Sequence, residues 1–242
     1  MIKYTILPIK QSNKILSSLP QDDWDRWIKH IELVSLSTED VLFDFGLKIN
    51  YVHFPISTII SLQYDYSDGS SAEFAEVGNE GLCGFFIFTG GVSTCSKAIV
   101  IGKGLSYRIP ASFMLDEFNR SGAFRRLILR YIQAVMTYSS QMVACNRKHT
   151  IDQQFAKILL INLDRVAGDN LIFTQEIISR CLGVRREGIS EAAKRLERMG
   201  LIKYSRGHIR VLDRVGLEKI SCTCYKLVKS EYDRLMPAEL AL

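Results

Sequence analysis

The chain has 242 residues, is 47% hydrophobic and 24% charged, and carries a formal net charge of +5. That length exceeds one small domain and suits two units of roughly 100–150 residues each. No apolar run approaches the roughly 18 residues of a membrane-spanning helix. The opening MIKYTILPIKQSNK shows no basic start followed by an apolar stretch, so a soluble cytoplasmic protein is expected, with no membrane partner. Cys83, Cys95, Cys145, Cys181, Cys222 and Cys224 are too scattered for a disulfide framework and are expected to be reduced and packed. Charge is uneven: from Arg147 onward there are about 18 Lys/Arg against about 12 Asp/Glu, so a polyanionic partner belongs to the C-terminal part.

In chain order, residues 12–35 predict helix, with Leu16, Leu19, Trp24, Trp27, Ile28 and Ile31 near a helical period. From about 36 to 110 the texture becomes short Val, Ile, Phe and Tyr runs broken by Gly, Asp and Asn. Ile59 to Tyr64 followed by Ser67–Asp68–Gly69–Ser70 reads as a β-hairpin. Strands at this spacing suggest an antiparallel barrel or jelly roll. A long helix is expected over 123–146. Its Phe124, Ile128, Tyr131, Val135, Tyr138, Met142 and Cys145 alternate steps of four and three, which predicts a helix paired with a second copy along that seam. Thr150 and Gln153 then fit a capping box opening a helix faced by Ile151, Phe155, Ile158, Leu159 and Leu163.

The stretch from Leu171 to Leu212 is the most informative. Thr174 can cap a short helix ending near Cys181, and Gly183 suits the positive φ of a tight bend between helices. A second helix from Arg185 to about Met199 buries Ile189, Ala193 and Leu196 and shows Arg186, Glu187, Ser190, Glu191 and Lys194 on its other face. Arginine can make two hydrogen bonds to a guanine edge, glutamate accepts from cytosine, and serine serves either, so Arg185, Arg186, Glu187, Ser190 and Glu191 are candidate base readers. Two strand-like runs about Ser205–Arg206–Gly207 follow as a wing. Thr174, Lys194, Lys203, Arg206 and His208 are the candidate phosphate contacts.

This order of elements resembles the Crp–Fnr superfamily of bacterial transcription regulators across roughly residues 12–235. The strongest match is TQEIISRCLGVRREGISEAAKRLERMGLIKYSRGHIRVLDRVGLE. The resemblance implies an α+β fold: an N-terminal antiparallel β-roll or jelly roll (1–122), a long dimerisation helix (123–146) and a C-terminal winged helix-turn-helix (147–242). It places Arg186 and Glu187 where the family's Arg-Glu pair reads bases. Glu191 stands where another arginine is frequent, so the half-site should differ. The implied partners are double-stranded DNA, a second copy of the chain, RNA polymerase and a small-molecule effector of unassigned chemistry.

The implied effector pocket involves Gly84, Phe85, Phe86, Cys95, Ser96 and Lys97. Cyclic-AMP-binding relatives place a glutamate where Phe85 stands and an arginine for the phosphate, and no arginine lies between Gly81 and Ser106. Burying a phosphate without that pairing is costly, and Lys97 offers only a point charge. Cyclic AMP is therefore not the expected signal. The absence of cysteine before Cys83 argues against the family's iron–sulfur cluster, and a lone His53 in a strand reads as structural rather than as a haem ligand. No cofactor and no metal are expected. Cys222 and Cys224 on one helix would point about 200° apart, which argues against a thiol site with Cys145 and His149.

A cupin-like enzyme is disfavoured because His53 is the only histidine between residues 31 and 148. The expectation is a dimeric DNA reader, not an enzyme, in which an input at the β-roll shifts the packing of the long helices about the 146–149 hinge. A regulator that needs no effector, or answers to a protein partner, is the alternative.

Overall fold

The computed structural model describes residues 3–4, 8–165, 169–205 and 207–236. They form two compact units that share two helices. One unit holds residues 1–64, 75–135 and the chain from Tyr232; the other holds 65–74 and 136–231. The long helix contributes to both, its residues up to Val135 belonging to one unit and those from Met136 to the other.

In the first unit the expected continuous helix over 12–35 is broken into short pieces. After β1 (Lys3–Tyr4) come α1 (Lys14–Ser17), α2 (Gln21–Trp27) and a single tight turn over Ile28–His30; the chain then enters β2 (Glu32–Leu36). Pro20 ends the first piece, because it lacks the N–H that helix continuation requires, and it serves instead as the residue before α2. Glu32–Leu36 is a strand that buries Leu33, Val34 and Leu36, and its short apolar run fits a helical period as readily as a strand.

Six further strands follow: β3 (Val41–Phe43), β4 (Tyr51–Pro55), β5 (Ile59–Asp65), β6 (Ser71–Val77), β7 (Lys97–Gly102) and β8 (Gly104–Pro110). They build two four-stranded sheets in the orders β1-β2-β8-β4 and β3-β7-β5-β6. This is the antiparallel roll expected. The β5–β6 turn is held by Asp68, whose Oδ1 accepts from the Ser70 amide at 2.9 Å and hydroxyl at 2.6 Å.

After α3 (Ala111–Arg120), α4 runs from Gly122 to Lys148. Trp27 donates its indole N–H to Glu117 at 2.7 Å, and Arg26 and Arg120 pair with the same carboxylate. The Trp27 ring also meets Phe124 edge-on at 4.7 Å. His53 on β4 exchanges backbone hydrogen bonds with Cys83 at 2.9 and 2.8 Å. Burial, aided by the nearby Arg108 charge, lowers its imidazole pKa to about 3, so the ring stays neutral.

The expected dimer seam needs correction. Phe124, Ile128, Tyr131, Val135, Tyr138 and Met142 are all buried within the single chain, as is Cys145. Tyr131 shows why. Its hydroxyl donates to the Leu82 carbonyl at 3.0 Å, and a side chain at Gly81 would collide with that ring. A residue covered by its own chain has no area left for a second copy. The face of α4 that stays open carries Leu129, Met136 and Val143, which are 53%, 65% and 66% exposed.

The second unit begins along α4. Thr150 and Gln153 form the expected capping box at the start of α5 (Ile151–Leu163). A strand absent from the sequence reading, β9 (Asn170–Ile172), precedes α6 (Gln175–Leu182) and α7 (Arg186–Arg198). Then come β10 (Ile202–Ser205), β11 (His208–Val211), α8 (Arg214–Ile220) and α9 (Cys224–Leu235). The three strands form one small sheet in the order β10-β11-β9. Ion pairs link the layers: Arg195 on α7 holds Asp152 on α5 through two bonds of 2.7 and 2.6 Å, and Arg214 on α8 reaches Asp164 at 2.6 Å.

Candidate nucleic-acid interface

The site begins with the turn between two helices. Thr174 caps α6 by accepting from the Ile177 amide at 3.2 Å. Ile177, Ile178, Cys181 and Leu182 bury the inner face of α6, and Gly183 closes it at a φ of 62°, a conformation that costs other residues. Arg185 is extended and starts α7 without a side-chain cap. Along α7, Ile189, Ala192, Ala193 and Leu196 are buried, which fixes the direction of the opposite face.

On that face Arg185, Arg186, Glu187, Glu191 and Lys194 are exposed. Among the described residues, no hydrogen bond or ion pair engages the side chains of Arg185, Arg186 or Glu187. Three other candidates are already occupied. Ser190 donates its hydroxyl proton within the chain, with Gln175 Oε1 at 2.7 Å and the Arg186 carbonyl at 3.1 Å as acceptors. Its free capacity is therefore to accept, not to donate. Lys194 pairs with Glu191 at 3.1 Å, which holds the Glu191 carboxyl below its usual range. Both partners are open to solvent, where such a pair contributes little and is easily exchanged for a phosphate or a base.

The wing stands beside this helix. Ser205 pairs with His208 across the tip, and Gly207 takes a φ of 83° there. A side chain on Gly207 would touch Thr174 at 3.4 Å, so the wing tip lies close to the start of α6. The Tyr204 backbone is tied to α7 through Glu197 at 3.1 Å. Lys203 and His208 are exposed at the strand edges. Arg206, the other expected phosphate contact, lies outside the described residues. A rigid helix with unengaged cations at its N-terminal end, flanked by a basic hairpin, is suited to enter a major groove and clamp the adjoining backbone.

The six residues expected around an effector do not come together as a polar pocket. Gly84 has a φ of 103° and opens a tight turn over Phe85–Thr89. Phe85 is buried against Phe86 at 4.3 Å and Tyr131 at 6.1 Å, while Phe88 stacks on Phe118 at 5.1 Å. Cys95 is exposed, Ser96 is buried with Thr94 at 2.9 Å, and Lys97 lies on β7. A neighbouring cavity of about 210 Å³ is lined by Lys48, Ile49, Asn50, Ile87, Val92 and Ala111 among others, and by none of the six. Ligand sites for small molecules usually enclose about 300–1,000 Å³.

The cysteine reading also needs correction. Cys222 precedes α9 and only Cys224 lies on it, so the two thiols do not diverge around one helix. They converge with Cys145 and His149, a constellation that the Cys-x-Cys spacing alone had argued against. No helix among the described residues is long and apolar enough to cross a membrane.

Residues 153–220 match the family model of the Crp-like helix-turn-helix domain. Among curated proteins, none matches the chain. Solved structures share the fold at low identity. A protein of the Crp/Fnr family from Eubacterium rectale superposes with a TM-score of 0.66 at 15% identity, covering 87% of this chain and 98% of its own. FixK2 from Bradyrhizobium japonicum gives 0.67 at 16%, covering 80% and 98%. The c-di-GMP-responsive regulator CLP from Xanthomonas campestris gives 0.61 at 15%, covering 80% and 100%. Residues 153–220 thus carry a Crp-like helix-turn-helix domain, and the chain shares the fold of these solved structures.

Proposed function

We propose that the chain works as a homodimer that reads an inverted repeat in double-stranded DNA, one α7 to each half-site, without cyclic AMP as its signal. The observation that carries the reading is the exposed, unengaged Arg185–Arg186–Glu187 run opening α7 beside the wing. Free guanidinium forks at that end match guanine edges, and Glu187 matches cytosine, so these side chains give sequence preference while Lys203 and His208 supply backbone grip.

Pairing is supported by the open face of α4. Leu129, Ile132, Met136 and Val143 follow steps of three, four and seven, a second apolar stripe distinct from the buried one. Two such stripes facing one another would set the half-site centres, for which about 34 Å is the usual separation. Against cyclic AMP stands the interior beside Phe85: rings occupy the place where a ribose and phosphate would need acceptors and an arginine. That filling favours a regulator whose β-roll supports the dimer or answers to something other than a cyclic nucleotide.

Selection of bound sequences from random duplex DNA, with purified full-length protein and no ligand added, tests this directly. A two-fold inverted repeat is the expected product. Recovery of no motif, with only salt-sensitive binding, would sink the reading of an effector-free dimeric reader. Met136→Glu should then convert the dimer to monomer in sedimentation and abolish tight binding to the full repeat. A dimer that survives this change pairs through some other face.

A further inference from the structure

We propose that Cys145, His149, Cys222 and Cys224 form a mononuclear zinc site that fastens the end of α4 to the corner between α8 and α9, entirely within the second unit.

The chain delivers these ligands from two places. Cys145 lies in the last turn of α4 and His149 follows its end, four residues on, its amide donating to the Cys145 carbonyl at 3.0 Å, so both stand at the same end of the helix. Cys222 lies in the short bend after α8 and Cys224 opens α9, so the change of backbone direction between them turns both thiols inward. The Gln154 side-chain amide donates to the His149 carbonyl at 2.8 Å and fixes that end of the helix.

The four ligand atoms, three Sγ and one imidazole nitrogen, lie within 4.8 Å of one another. Cys145 Sγ is 3.5 Å from Cys222 Sγ, and Cys224 Sγ is 3.6 Å from His149 Nδ1. A tetrahedral zinc with Zn–S of about 2.3 Å and Zn–N of about 2.0–2.1 Å has S–S edges of about 3.8 Å and S–N edges of about 3.6 Å. The Cys145–Cys222 and Cys224–His149 separations are close to those edges, and the set as a whole lies within 4.8 Å. Three thiolates and one imidazole are also a donor set that soft, four-coordinate zinc favours, whereas calcium and magnesium take oxygen.

A second observation is independent of the ligands. Lys157 on α5 is only 2% exposed, and its amine has a thioether, Met142 Sδ at 2.9 Å, as its hydrogen-bond partner. A buried ammonium without a carboxylate is costly, and a thioether is a weak acceptor. Zinc bound by three thiolates and a neutral histidine carries one net negative charge, and Lys157 is the cation that balances it. Binding releases the three thiol protons to solvent, so uptake strengthens as pH rises.

Purified full-length protein provides the test, with zinc alone as the probe and metal content per chain as the readout. One zinc per chain is expected after purification, again after chelation and re-addition of zinc, and cobalt in its place should show the absorption of tetrahedral thiolate coordination. Cys222→Ser should lose the metal, and Cys95→Ser, an exposed thiol away from the cluster, should keep it. Should Cys222→Ser fail to fold, Lys157→Met keeps the ligands and should weaken zinc binding about 10–100-fold, the usual effect of removing an outer-shell partner. Metal-free protein whose thiols at 145, 222 and 224 react freely in the presence of zinc would overturn the proposal. So would protein that still takes up no zinc once any Cys145–Cys222 disulfide has been fully reduced.

Discussion

The interior beside Phe85 and the open face of α7 treat polar chemistry in opposite ways. In the first unit, rings close over one another, Ser96 finds Thr94, and His53 is held neutral. Where α7 begins, Arg185, Arg186 and Glu187 make no side-chain hydrogen bond or ion pair, although acidic and basic neighbours are only a turn away. Arg195, on the same helix, shows that α7 can engage its charges when structure requires it, since it is locked onto Asp152. Unengaged charge costs nothing in water but brings no stability either, so its persistence marks a surface kept for something outside the chain. A space filled by phenylalanine is one where stability has displaced recognition.

The contrast can be broken most forcefully at Phe85. Phe85→Ala removes a buried ring and leaves a void that its aromatic neighbours cannot fully refill, so it should cost about 3–5 kcal/mol in denaturant unfolding. A loss below about 1 kcal/mol, accompanied by new affinity for a cyclic nucleotide, would show that the ring plugs a latent ligand site.

His53 gives a smaller and pH-dependent effect. Its folded pKa of about 3 lies below the ordinary 6.5, so between those values the unfolded chain binds the extra proton. The stability that His53 contributes is therefore fully present above pH 6.5 and falls as pH drops toward 3. The slope should be about 1.4 kcal/mol per pH unit over that window. The groups facing it, Arg108 across the strand pair and Cys83 across the bridge, do not supply a counter-charge. Unfolding midpoints at pH 7 and pH 5 check this, and His53→Leu should lose most of the slope. An unchanged slope would mean that the imidazole is protonated in the fold.

The sequence disclosed most where structure is local. The Thr150–Gln153 box, the Gly183 bend, the buried face of α7 and the hairpin at Asp68 are each decided by residues within a few positions, and each was legible. What escaped depends on distant partners. Pro20 and the strand at Glu32–Leu36 were masked by apolar residues that fit two periods over a short window. On α4 two apolar stripes interleave, Phe124 to Met142 and Leu129 to Val143, and spacing alone gives no sign of which one the chain itself covers. The bulkier aromatic stripe was the natural choice for pairing, and it is the one that Leu82 and Trp27 claim. β9 is a three-residue strand that exists only because β11 offers it an edge. The four zinc-ligand candidates come as two close pairs more than seventy residues apart in the chain, and the break before α9 lets them meet.

The finest test separates two kinds of exposed cation within the second unit. Arg186 has a planar fork aimed from the first turn of α7, whereas Lys203 lies on the wing with a single ammonium. Arg186→Ala should cost about 1–3 kcal/mol on the selected repeat and relax preference at one base position in each half-site. Lys203→Ala should weaken every sequence alike by a few fold and reduce the salt dependence by about one ion per half-site. Binding titrations on the selected and scrambled repeats at two salt concentrations distinguish the outcomes. If Arg186→Ala lowers both sequences equally, its guanidinium grips phosphate, and the reading of bases must lie with Arg185 and Glu187. If Lys203→Ala changes sequence preference, the wing reaches into a groove, and the division between reading helix and gripping hairpin fails.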